Sequence, residues 1–256
     1  MSKPCLGAQL YTLREYCKTL PDVITTFKKV SAIGYKAVQI SGFGPMDPKE
    51  LAKVIADSGL IVAATHIGWN RFLNELDTVI AEHKMWNCRH TAIGGLPGEY
   101  GTLDGLKRFA GEVPPVAARL AKEGMTFSYH NHHHEFIKHG GKTWLEAAFE
   151  MISPKDMCFE IDTHWVQRGG GDPAAWVRKC AGRIPLLHLK DMAVSDKREP
   201  LMAAIGEGNL NWDAILDAAR QSGVEWYLIE QDDCYGRDPF ECLASSFRFL
   251  KGKGLN

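Results

Sequence analysis

The sequence has no cysteines at C-x-x-C spacing and no G-x-G-x-x-G turn after its first apolar run. It has no excess of basic residues and no apolar stretch of membrane-spanning length. Each absence removes a class of protein. The seven cysteines are scattered and odd in number, which argues for a reduced intracellular protein rather than a disulfide framework. Cys5 and Cys158, inside apolar runs, read as small buried hydrophobes. Lys and Arg total 30 against 31 Asp and Glu, whereas nucleic-acid binding is driven by basic surfaces that neutralise phosphates; no nucleic-acid partner is expected. The stretch MSKPCLGAQLYTLRE lacks the apolar core of a secretion signal. With no run of about 20 apolar residues there is no membrane partner to expect, and the reading is cytoplasmic. Without a dinucleotide turn, no nucleotide cofactor is expected.

What is present is ordinary globular material: 45% hydrophobic and 24% charged residues, enough for a large core. Short apolar runs alternate with longer amphipathic ones. Strands are expected over 5–10, 36–40, 61–66, 90–95, 126–131, 157–162, 185–190 and 225–231. Helices are expected over 21–33, 47–58, 71–86, 103–123, 142–152, 173–181, 211–222 and 239–251. Asp47-Pro48, Asp172-Pro173 and Asp238-Pro239 each supply an N-cap followed by proline at the first helical position, and Gly34, Gly59, Gly124 and Gly223 stand where helices should stop. Eight strand–helix units without a Pro/Ser linker imply an α/β fold, a single (β/α)8 TIM barrel over residues 1–256, rather than an open doubly wound sheet.

Such barrels carry their active sites at the C-terminal ends of the strands, so the residues ending each apolar run are the candidates. They are Gln9 and Tyr11, His66, His130 to His132, Glu160 and Asp162, His188 and Lys190, and Glu230 and Gln231. Asp162, His188 and Glu230 form the sharpest set. Each follows a buried run, where a charge must be paired or bound to metal. Two carboxylates with one imidazole suit Mn2+, Mg2+, Co2+ or Zn2+. The tract YHNHHHEF, from Tyr129 to Phe136, holds four of the ten histidines. Strand alternation turns His130 and His132 to one side. His133 and His134 fall beyond the strand, and Glu135 either swings back to the site or pairs on the loop.

The segments GAQLYTLRE (7–15), THIG (65–68), YHNHHHEF (129–136), EIDTHWVQRGGGDP (160–173), PLLHLKDM (185–192), GEGNLNW (206–212) and EQDD (230–233) together resemble the sugar phosphate isomerase/epimerase family of xylose isomerase-like TIM barrels. The resemblance covers nearly the whole chain. It implies a divalent metal, Mn2+ first among the candidates, held by Asp162, His188 and Glu230 on the last three strands. Many members place a glutamate on strand five, where this chain has Tyr129-His130; the fourth ligand is His130, Glu135 or water. It further implies that the metal polarises the carbonyl and hydroxyl of a sugar or keto-sugar and stabilises an enediolate. Glu230 then doubles as ligand and base, with His66, His132 and Lys190 as donors or acid–base groups. Tyr11, Trp69 and Trp165 are candidates for an apolar wall, Gln9 and His164 for further substrate contacts, and Arg168 for a phosphate or carboxylate contact. Barrels of this family often form homodimers.

Three other functions compete. A lyase acting on 3-keto-glycosides would use the same metal and enediolate. An endonuclease IV-like phosphodiesterase is disfavoured because Asp162-Thr163-His164 departs from D-x-x-H spacing. A non-catalytic sugar-binding barrel would be expected to have lost its ligands.

Overall fold

A computed structural model describes residues 5–256; residues 1–4 and the Cys5 side chain, which falls in an expected buried run, lie outside the described part. Eight parallel strands close into a barrel. They are β1 (Cys5–Gln9), β2 (Ala37–Ile40), β3 (Ile61–His66), β4 (His90–Ile93), β5 (Thr126–His130), β6 (Cys158–Asp162), β7 (Leu186–Leu189) and β8 (Trp226–Ile229). Each pairs with its sequence neighbour, and β8 closes the ring against β1, with Leu6 opposite Tyr227 and Ala8 opposite Ile229. The outer helices are α1 (Leu20–Ile33), α2 (Pro48–Ser58), α3 (Leu76–Met85), α4 (Leu103–Ala121), α5 (Trp144–Met151), α6 (Pro173–Lys179), α7 (Trp212–Ser222) and α8 (Pro239–Gly252).

Local chemistry explains the boundaries. Asp47, Asp172 and Asp238 accept backbone N–H bonds at the starts of α2, α6 and α8, with proline in the first turn of each. Thr19 and Thr143 form reciprocal capping boxes with Asp22 and Glu146. Gly59 and Gly223 end α2 and α7 at φ of 68° and 82°, a conformation that costs a side-chain-bearing residue roughly 1–2 kcal/mol. The expected helix over 71–86 is in fact two pieces, Trp69–Asn74 and Leu76–Met85, broken at Glu75 where φ is −134°. A 3-10 turn (Leu10–Tyr16), a short helix (Thr163–Arg168) and two small hairpins (138–143 and 191–203) also sit in the connections.

Strand alternation divides the core. Outward-facing Phe127, Tyr129, Phe159 and Tyr227 are buried in the layer between barrel and helices. Inside the barrel, Ala37, Ala63, Ala64, Leu186 and Leu228 form a small apolar plug. Gly7 leaves room for it, since a Cβ there would lie 2.9 Å from Leu228 Cδ2. Above the plug the interior turns polar: Gln9, Gln39, His130, Glu160, Asp162, His188 and Glu230 are all at most 4% exposed. Cys17, Cys88, Cys180 and Cys242 are buried free thiols, and burial pushes the first three up to about 12. Cys158, expected to be buried, is only half-buried at the start of β6. Among the described residues, no helix is long and apolar enough to cross a membrane.

Candidate active site

Four consecutive strands each deliver one group to a common point. His130 ends β5, Asp162 ends β6, His188 lies on β7, and Glu230 follows β8. One donor atom from each lies within 4.8 Å of all the others, and all four residues are buried. His188 Nδ1 is 3.1 Å from Glu230 Oε2 and 3.7 Å from Asp162 Oδ2; His130 Nε2 is 3.3 Å from Asp162 Oδ2.

A second polar shell lies one alternation below. Glu160 Oε1 accepts from Gln39 Nε2 at 2.7 Å and lies 3.3 Å from His188 Nε2, while its Oε2 is 2.6 Å from His66 Nε2. Gln39 Oε1 accepts from His188 Nε2 at 2.7 Å. Nε2 thus faces the Gln39 and Glu160 oxygens while Nδ1 faces Asp162 and Glu230, the orientation expected of a metal-binding imidazole backed by a carboxylate.

The cluster already gathers positive charge. Lys190, 1% exposed, sets its Nζ 2.7 Å from Glu230 Oε2, 3.0 Å from Asp162 Oδ2 and 3.0 Å from Asp232 Oδ1. Burial works against each charge in turn. For Lys190 it is outweighed by Asp162, Glu230 and Asp232, which hold its pKa above the ordinary lysine value. His188 is likewise held above its usual range against burial by Glu160, Asp162 and Glu230. Asp162, Glu160 and Glu230 stay well below ordinary carboxylates, because neighbouring Lys190 and histidines overcome their desolvation. Asp232 moves the other way, pushed up to about 6 by burial and by Glu230. The donor set of two carboxylates and two imidazoles suits a divalent ion, and the Lys190 ammonium lies on the same carboxylate edge as a counter-charge.

The cluster floors a cavity of about 790 Å³, whose walls include Tyr11, Arg14, His66, His132, Asp232 and Asp233. Burial lowers the His66 and His132 pKa values, the latter to about 3, so both face the cavity as neutral rings. Gly94 lies against His66, where a Cβ would sit 2.7 Å from its Nδ1. Arg14 extends over the Tyr11 ring at 4.4 Å, and Gln9 reaches His66 Nδ1 at 3.5 Å.

Several expected contacts fall elsewhere. Trp69 is not at the mouth. The short helix it begins turns it into the helix layer, where it packs on Phe72, Phe109 and Phe127 and donates Nε1 to Glu112. Glu135 does not join the quartet. Tyr129 OH and the His132 N–H each donate to it at 2.7 Å, and His134 Nε2 lies 3.2 Å away, so it braces the histidine loop. His164 is buried with Nδ1 against the Asp191 carbonyl at 3.0 Å, beneath Trp165 rather than on the cavity wall. Trp165 packs beside His132 and His133, with the Lys190 ammonium 5.2 Å from its ring. Exposed Arg168 rests 5.4 Å from the Trp165 ring and does not line the cavity.

Glu160, expected at the end of its apolar run, is at the site as a support of His66 and His188, whereas Gln39, Arg14, Asp232 and Asp191 are not among the residues that end the apolar runs. Gln39 and Glu160 carried a signal: they are polar residues at inward positions of apolar strands. Asp191 accepts from the Met192, Gly206, Gly208 and Leu210 N–H groups and from Trp212 Nε1, pinning the GEGNLNW loop.

A sequence model of the xylose isomerase-like TIM barrel family matches residues 27–252. An inosose dehydratase of Clostridium tetani is 24% identical over 152 residues, covering 53% of this chain and 50% of that protein. The chain thus spans about half the length of the curated relatives it matches. Among solved structures, a sugar phosphate isomerase/epimerase of Parabacteroides distasonis superposes with a TM-score of 0.82 at 22% identity, covering 98% of this chain and 94% of the other. An L-ribulose 3-epimerase gives 0.74 at 20% identity, covering 98% and 94%. At these identities the likeness establishes the barrel.

Proposed function

The chain belongs to the xylose isomerase-like TIM barrel family, and from that premise we propose that it is a divalent-metal-dependent enzyme acting on a sugar or keto-sugar through an enediolate, as an isomerase or epimerase. The observation that carries this reading is the quartet of His130, Asp162, His188 and Glu230 beneath a wide polar cavity. Those four residues would hold the ion, with His130 the strand-five ligand in place of Glu135. When bound, the ion supplies Lewis acidity toward the substrate's carbonyl and adjacent hydroxyl.

The chain's own groups divide the remaining work. Glu230 faces the cavity, and its His188 and Lys190 contacts both fall on Oε2. Oε1 is left to take a carbon-bound proton. Lys190 steadies the ionised form of that base and stays cationic beside the negative charge that proton removal leaves on the substrate. His132 and His66 stand on the cavity wall as neutral imidazoles, able to donate to one sugar oxygen and accept from another. Glu160 and Gln39 orient His66 and His188. Tyr11 offers a flat face to the sugar.

A second reading is supported by the inosose dehydratase relatives: proton abstraction followed by loss of a β-hydroxyl, which makes the enzyme a lyase. Both outcomes share the first step and differ in whether the proton held by Glu230 goes back to carbon or leaves with the departing oxygen, to which the neutral His132 ring would hydrogen-bond. The test is a panel of ketoses, aldoses, cyclic keto-polyols and keto-glycosides incubated with Mn2+-loaded protein in D2O. An epimerase or isomerase incorporates one deuterium into a product of otherwise unchanged composition; a lyase gives a product lighter by water or by the released alcohol. Metal content and turnover unchanged in Asp162→Ala and Glu230→Ala would overturn the assignment.

A further inference from the structure

The charge distribution around the cavity bears on the substrate class and rests on the functional reading above. Five carboxylates surround or underlie the cavity floor: Glu160, Asp162, Glu230, Asp232 and Asp233. Among the described residues lining the cavity, Arg14 and Lys190 are the guanidinium and ammonium groups. A single divalent ion does not cancel the excess of negative charge.

Lys190 is also committed, and Arg14 is anchored through one of its nitrogens. Lys190 Nζ is shared among Asp162, Glu230 and Asp232 at 2.7–3.2 Å. Arg14 Nη1 donates to the Tyr11 and Asp232 carbonyls, each at 2.9 Å, and its guanidinium carbon lies 4.4 Å from the Tyr11 ring centre. Binding a phosphate through Nη1 would break both bonds. Exposed Asp233 lines the cavity with Oδ1 accepting the Tyr235 N–H at 2.7 Å, so it places a carboxylate in the path of an entering anion. Arg168, the cation expected to bind phosphate, is held away on the Trp165 ring. A phosphate ester carries close to two negative charges and calls for bidentate arginine or unshared lysine.

We propose that the substrate is an uncharged carbonyl-bearing polyol rather than a phosphate ester, and that Asp233 at the rim is a determinant of that choice. The neutral imidazoles, the Tyr11 face and the shared carboxylates match hydroxyl groups, which both donate and accept.

The test compares D-fructose, D-psicose, inosose and a 3-keto-glucoside with D-fructose 6-phosphate and D-psicose 6-phosphate on the Mn2+-loaded enzyme. Deuterium exchange and calorimetric binding are both read. The expected result is exchange in at least one uncharged compound and a kcat/KM or affinity at least about tenfold lower for its phosphate ester, the scale of one like-charge encounter in a partly aqueous site. Asp233→Asn should narrow that ratio by about threefold, an effect reduced by added salt because the rim is exposed. A phosphate ester processed or bound as well as its parent sugar overturns the inference while leaving the enzyme assignment intact. Preferential binding of an uncharged compound with neither exchange nor elimination in any compound supports the inference and removes the enzyme assignment. If nothing exchanges or binds, both fall.

Discussion

Replacing Lys190 with methionine should expose how the site balances its charge. Methionine keeps much of the stem's volume and removes the ammonium that touches Asp162, Glu230 and Asp232 at 3.0, 2.7 and 3.0 Å. Deleting one partner of a buried ion cluster leaves uncompensated charge and costs about 3–5 kcal/mol. The upper part of that range is tempered here because Asp232, already pushed up to about 6, can take a proton. For a chain of this size the loss corresponds to a fall in Tm of about 10 °C. The Lys190 pKa is raised on folding. Its contribution is therefore complete below the unfolded lysine value of about 10.4 and disappears only as pH rises through the folded value; at pH 7 the whole of it is at stake. A divalent ion at the quartet would restore positive charge to the same carboxylates, so Mn2+ should raise the Tm of Lys190→Met more than that of the parent. Calorimetric melts in EDTA and in Mn2+ provide the measurement. If the metal-free variant melts within about 2 °C of the parent, or Mn2+ lifts both equally, the account of Lys190 as the site's resident counter-ion is wrong.

Three further outcomes follow from the contacts described. Glu160→Gln sets its amide NH2 against the donor of either Gln39 or His66, and metal affinity should fall about 10–100-fold by titration with Mn2+ while the fold persists by circular dichroism. Glu135 is a depressed carboxylate: burial raises its pKa, but His134, His132 and Tyr129 outweigh that. Its stabilisation is therefore present above the unfolded value of about 4.3 and lost as pH falls through the folded one. The stability gap between parent and Glu135→Gln, measured by urea unfolding, should shrink from pH 6 toward pH 3. Asp191→Ala orphans five donors at about 1–3 kcal/mol for each that stays buried, so the variant should lose several kcal/mol and be cleaved by protease between residues 191 and 210.

The barrel was legible because its strands are apolar runs at regular spacing and its helices carry their own start and stop residues. Asp162, His188 and Glu230 stood out as charges at the ends of such runs. Other features depended on three-dimensional turns that no spacing encodes. Trp69 followed β3 in sequence and so looked like a mouth residue, but a six-residue helix rotated it into the apolar layer. Glu135 looked free to reach back, yet Tyr129, on β5 itself, claimed its oxygen. Gln39 was hidden by sitting mid-strand, and Glu160, visible at the end of its run, gave no sign of its partners. Their burial is tolerable only because they satisfy each other and two histidines from other strands, a relation spread over β2, β3, β6 and β7.

Glu230 follows the strand that seals the ring between β7 and β1. The ligand cluster therefore exists only while the last seam of the barrel is shut, and an ion held there would act as a latch on that seam. Amide hydrogens of β8, at Tyr227 to Ile229, should then exchange with deuterium through openings that the bound ion suppresses, each tenfold slowing equal to about 1.4 kcal/mol of added closure. Occupancy of the site would thus be readable from the backbone of a strand whose intervening side chains never touch the ion.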